Sequence, residues 1–126
     1  KVLIADGNYP FCTKRGPNTR LVNLNLSPGL VDCVQVLEAL VTAIPIEQAA
    51  VMQYAASGPY ALDKEPEIWA RFRDTLGKGG YTEPLETIER FAFYEAASTS
   101  DVALTIATGE QRIFANLLLT IGVVMA

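Results

Sequence analysis

Residues 27–45 constrain the fold of this chain more than any other stretch. Apolar residues recur at 30, 33, 34, 37, 40, 41 and 44, while Asp32, Gln35 and Glu38 fall between them. That is the spacing of an amphipathic helix with one face to bury. Ser27 supplies a side-chain cap, Pro28 suits a first helical turn, and Pro45 ends the run. A helix this short gains its stability from packing, so the rest of the chain must supply a partner surface. Just upstream, Val22, Leu24 and Leu26 alternate with Asn23 and Asn25, which is the period of a strand.

The same reading extends along the chain. Val2–Ala5 is a short apolar strand, and Asp6, Gly7, Asn8, Tyr9 and Pro10 form a turn. A second helix is expected over 46–56, rich in alanine and stopped by Ser57, Gly58 and Pro59. A third is expected over 65–76, with Ile68, Trp69, Phe72 and Leu76 as its stripe and the glycines at 77, 79 and 80 as its stop. A fourth starts from Thr82, with Glu83 and Pro84 in its first turn. A fifth runs from Val102, interrupted at Gly109, into the most apolar stripe of the chain: Ile113, Phe114, Leu117, Leu118, Ile121 and Val124. The expected fold is therefore mainly α, a compact four- to five-helix bundle with a short N-terminal extended or β segment. Residues 1–126 make a single domain, in which 1–26 form an arm or small β ribbon and 27–126 the helical body.

Composition narrows the function. Half of the 126 residues are apolar and the mean hydropathy is +0.22, an excess for a small monomer with much surface to keep wet. No uninterrupted apolar run is long enough to cross a bilayer, so no transmembrane span is expected. There is no histidine, which removes most metal-dependent and histidine-based hydrolytic chemistry and leaves Cys12 and Cys33 without the usual activating base. No cofactor or metal site is expected. The acids at 63, 65 and 67, and at 83, 86 and 89, gather where helix starts favour them. The net charge is −4, divided as +3 over residues 1–30 and −7 over residues 31–126. This balance disfavours a nucleic-acid partner held by bulk charge. Lys14, Arg15, Arg20, Arg71, Arg73, Arg90 and Arg112 are the candidate contacts for an anion or nucleic acid.

The chain begins at Lys1 and holds two cysteines. A processed, exported or virion-like protein is the expectation from that pair of facts, with a Cys12–Cys33 bridge weighed evenly against two free thiols. In composition alone the chain is similar to coat subunits of helical viruses, which are small, helical, acidic and poor in histidine. The primary functional expectation is a non-enzymatic assembly subunit of a capsid, coat or filament. Its partners would be other protein subunits, engaged through Ile113, Phe114, Leu117, Leu118, Ile121 and Val124. The alternatives are a small helical ligand-binding protein, with a pocket lined by Trp69, Phe72, Phe91, Phe93, Tyr94 and Phe114, or a small enzyme working without histidine.

Overall fold

The computed structural model describes residues 1–10, 14–55, 57–58 and 61–122. Nine elements follow in order: β1 (Val2–Ala5), β2 (Arg20–Asn23), α1 (Cys33–Val41), β3 (Ile46–Met52), α2 (Glu67–Lys78), β4 (Glu86–Ile88), α3 (Arg90–Ala97), β5 (Leu104–Ala107) and β6 (Leu117–Ile121). The six strands form one mixed sheet in the order β2-β5-β1-β6-β3-β4. β1 pairs parallel to β5, β5 to β2, and β3 to β4; β6 alone runs antiparallel, wedged between β1 and β3.

Side chains alternate along the central strands and split the core in two. Val2, Ile4, Val51, Leu117 and Leu119 join α1 and α2 in one cluster with Leu37, Ile68, Trp69, Phe72 and Leu76. Leu3, Ala5, Met52 and Leu118 face the other way, onto Phe93 and Ala97 of α3 and onto Val102. The molecule is a three-layer α/β protein, two helices on one face and one on the other.

This corrects the expected helical bundle. Two helices stand where the apolar spacing put them. α2 buries Ile68, Trp69, Phe72 and Leu76. α1 starts later than Ser27, at a capping box in which Asp32 accepts from the Gln35 backbone N–H and the Gln35 side chain accepts from that of Asp32. Of the other expected helices, the second and fifth are replaced by strands and the fourth keeps only its second half. Residues 46–52 are β3, whose last four residues are buried. The stretch after Thr82 is β4 followed by α3, which Glu89 caps through the backbone N–H groups of Phe91 and Ala92. Beyond Val102 lie β5 and β6, with no helix among the described residues. For β3, β5 and β6 the physical reason is shared: a strand covered on both faces is apolar throughout, so it loses the period of two and imitates a buried helix, whereas β4 is a short exposed strand that shows neither period. β1 and β2 are strands as expected, yet they do not form a ribbon, because β5 lies between them.

Two further expectations meet the structure here. Leu117 and Leu118 are buried in β6 at the sheet centre rather than displayed on a terminal helix, and Val124 lies outside the described residues. Cys33, for which a bridge and a free thiol weigh evenly in the sequence, is a buried free thiol 3.5 Å from the Thr108 hydroxyl, and burial pushes its pKa up to about 12. Cys12 lies outside the described residues.

Candidate functional site

Strands β1, β3 and β4 point their carboxyl ends to the same side of the sheet, and the β5–β6 connection crosses there before β6 turns back. Open sheets of this kind place ligands beyond the strand ends. A cleft of about 970 Å³ occupies that position. Each strand exit contributes to its wall: Asp6 and Asn8 after β1, Gln53 and Tyr54 after β3, Glu89 and Arg90 after β4, and Gln111, Arg112, Ile113, Phe114 and Asn116 ahead of β6.

Asp6 sits at the floor of this arrangement. The Asn8 backbone N–H donates to its carboxylate at 3.0 Å, the local hydrogen bond that folds an Asp-Gly-Asn turn. The Asp6 backbone N–H donates to the Asn116 side-chain oxygen at 2.7 Å, which fixes the amide of a residue only 6% exposed. Burial raises the Asp6 pKa above its ordinary value, with the nearby Glu110 charge adding to it, and hydrogen bonds from Asn8 and Asn116 pull the other way. A carboxyl group so placed holds its proton more readily than a surface aspartate, which suits acid/base work.

An aromatic wall stands opposite. Tyr54 packs on Trp69 at 5.4 Å and edge-on to Phe114 at 6.4 Å. Trp69, buried beneath, donates its indole N–H to the Phe114 carbonyl at 2.9 Å. Phe114 holds φ = 53°, a left-handed conformation uncommon for a bulky side chain, and backbone strain of this kind gathers at working sites. Tyr94 completes the wall on the α3 side, with the Arg90 guanidinium and the Lys14 ammonium each 5.9 Å from its ring centre.

The basic residues singled out in the sequence divide. Arg90 and Arg112 line the cleft, and Lys14 stands at Tyr94. Arg73 forms a two-pronged ion pair with Glu65, Arg71 is exposed on α2, Arg20 begins the edge strand β2, and Arg15 is exposed in the preceding loop. The expected aromatic pocket also divides. Tyr94 and Phe114 line the cleft, Trp69 supports it, Phe72 and Phe93 are core on opposite faces of the sheet, and Phe91 is 76% exposed. Among the described residues no three acidic or thiol side chains converge as a metal centre would require. Sequence reasoning missed Asp6, Asn116, Tyr54 and Glu110. A signal for the first was present: a wholly apolar strand running straight into Asp-Gly-Asn, which is what the end of a buried strand at a site looks like.

Fold and cleft together define a class: a small α/β protein with an open polar and aromatic ligand site at the strand ends of a mixed sheet. The chain belongs to the RbsD / FucU transport protein family, whose model matches residues 1–124. It is 30% identical to the fucose mutarotases of Danio rerio and Homo sapiens, over 98% of this chain and 79% of each relative. The fucose mutarotase of Streptococcus pneumoniae, solved in complex with L-fucose, is similar over 98% of this chain and 83% of its own, with a TM-score of 0.79 and 25% identity. These findings overturn the coat-like assembly subunit, and they lie much nearer the ligand-binding alternative. No helix among the described residues is long and apolar enough to cross a membrane.

Proposed function

We propose that this chain binds a reducing monosaccharide in the cleft and interconverts its anomers. The observation that carries this reading is the half-buried Asp6 carboxyl, of raised pKa, beside the fixed Asn116 amide in a family whose members include fucose mutarotases. Anomer exchange breaks the bond between the anomeric carbon and the ring oxygen, rotates the free aldehyde and closes the ring again. Opening moves one proton from the anomeric hydroxyl and one onto the ring oxygen. The Asp6 carboxyl exchanges one of these protons and water in the open cleft exchanges the other; closure reverses both transfers with no net change. Asn116 and Arg112 supply donors to sugar hydroxyls, Arg90 stands at the rim, and Tyr54 and Phe114 offer apolar faces to the C–H side of the ring.

The test is saturation-transfer NMR between the α and β anomer signals of L-fucose, with D-ribose as a second sugar. The protein is expected to accelerate exchange. Asp6→Asn should reduce that acceleration by about 100-fold or more, the usual worth of a positioned acid/base. Exchange at the buffer rate with the unaltered protein would overturn the reading.

We also propose that the chain pairs with further copies of itself. Leu21, Val22, Leu26 and Leu30 are exposed along and after the edge strand β2, an apolar strip beside an unpaired strand edge. Light scattering after size exclusion tests this, and a mass of one chain at every concentration would overturn it.

A further inference from the structure

Glu110 does not line the cleft, yet the first residues of the cleft's β5–β6 loop, Gln111 and Arg112, are tied to it. It is 2% exposed. Its carboxylate accepts five hydrogen bonds: from the backbone N–H groups of Gln111 (3.0 Å) and Arg112 (3.0 Å), from Arg112 Nε (2.9 Å) and Nη2 (2.8 Å), and from the backbone N–H of Cys33 at the start of α1 (3.2 Å). Its own carbonyl accepts from the Gly7 N–H at 2.9 Å, in the turn that carries Asp6. One residue therefore joins the turn after β1, the first turn of α1 and the loop that carries Arg112, Phe114 and Asn116.

Buried carboxylates are retained where charge-assisted bonds satisfy them, and two-pronged arginine pairs add geometry as well as energy. Burial alone would raise the Glu110 pKa, but the Arg112 and backbone bonds outweigh it and hold the carboxyl below its ordinary value. Arg112 gains a second acid in Asp32, 3.4 Å from Nη2. Of its guanidinium nitrogens, Nη1 alone has no partner among the described residues, and the side chain lines the cleft.

We propose that Glu110 is the positioning residue of this site: it clamps Arg112 and the 111–116 loop so that one guanidinium nitrogen stays committed to the ligand. The ligand half of this proposal rests on the monosaccharide reading above; the clamp itself does not. If the clamp acts through Arg112, removing either partner disables the same contact. The two substitutions are then not additive in binding, whereas an indirect loss of fold would add to the loss of Arg112.

The experiment pairs a ligand-free readout with a binding cycle, on the unaltered protein and on Glu110→Gln, Glu110→Asp, Arg112→Gln and the Glu110→Gln/Arg112→Gln double variant. Val102→Ala, in the opposite core, controls for general destabilisation. Without ligand, the Arg112 Nε–H and Trp69 indole N–H signals are followed by NMR; the indole reports the Phe114 carbonyl. Glu110→Gln is expected to abolish the protected Arg112 signal and shift that of Trp69. Glu110→Asp, should Glu110→Gln fail to fold, is expected to weaken both, and Val102→Ala to leave both in place. By calorimetry with L-fucose, Glu110→Gln and Arg112→Gln should each weaken Kd by about tenfold, and the double variant by no more than either alone. Signals unchanged in both Glu110 variants, or additive losses in Kd, would overturn the proposal. Failure of the unaltered protein to bind L-fucose or D-ribose would sink the sugar reading and with it the ligand half of the proposal, while the ligand-free signals still decide the clamp.

Discussion

Gly109 shows how tightly individual residues are drawn around the site. A Cβ there would lie 2.2 Å from the Leu30 carbonyl oxygen and 2.5 Å from that of Ser27. Its own N–H donates to the Val31 carbonyl at 2.9 Å, so the 27–31 segment is laid directly against the exit of β5. Backbone cannot step aside as a side-chain tip can, and Gly109→Ala should cost about 2 kcal/mol or more in chemical denaturation. Glu110, next in the chain, gives a pH signature. Its folded pKa lies below its ordinary 4.5, so its contribution is fully present above 4.5 and is lost as the pH falls through the lower folded value. Denaturation midpoints across that acid window should fall more steeply for the unaltered protein than for Glu110→Gln, which has no proton to take up. Trp69 is the sole tryptophan in the sequence and is bonded to the cleft wall, so adding L-fucose should change the intrinsic fluorescence. A flat titration in the presence of calorimetric binding would show that the Phe114 wall does not move with the ligand.

Among the elements, α2 was the most legible, since its outer face is solvated and its apolar residues stand out against charge. β6 was the least legible. Leu117 and Leu119 face one helical layer while Leu118 faces the other, so no polar residue interrupts them, and with Ile113, Phe114 and Ile121 they reproduce a helical stripe. The cue that separates the two readings is short-range: Phe114 adopts a left-handed φ that no continuous helix allows, and a sequence does not display that. For the site, the basic and aromatic residues were found as types but not as a group. Arg112, Arg90, Tyr94 and Phe114 meet only because the segments after β4 and β5 converge. Asp6 and Asn116, 110 positions apart, are joined by the pairing of β1 with β6. Because β6 is core, Leu117→Ala should destabilise by about 2–5 kcal/mol, measured by denaturant unfolding, where a residue on a displayed terminal helix would cost little.

At the scale of the whole molecule, α1 and α2 cover one face of the sheet and α3 the other, leaving the strand ends open on the side where the cleft lies. The sheet order sets how this architecture comes apart. β1 lies between β5 and β6, with Leu3 facing Thr105 on one side and Leu118 on the other. Sequence-distant pairing of this kind slows folding, because a long loop must close before any contact rewards it. During synthesis β1 waits, unpaired, until β5 and β6, its neighbours on both sides, have emerged. Val2–Ala5 is apolar throughout, and until then it has helices to pack on but no neighbouring strand to pair with. A ribosome stalled before residue 117 would therefore hold a chain whose central strand lacks one neighbour, and whose β3–β4 pair is cut off from the rest of the sheet. Such a nascent chain should be captured by chaperones and cleaved readily by added protease, and resistance should arrive abruptly once β6 has cleared the exit tunnel.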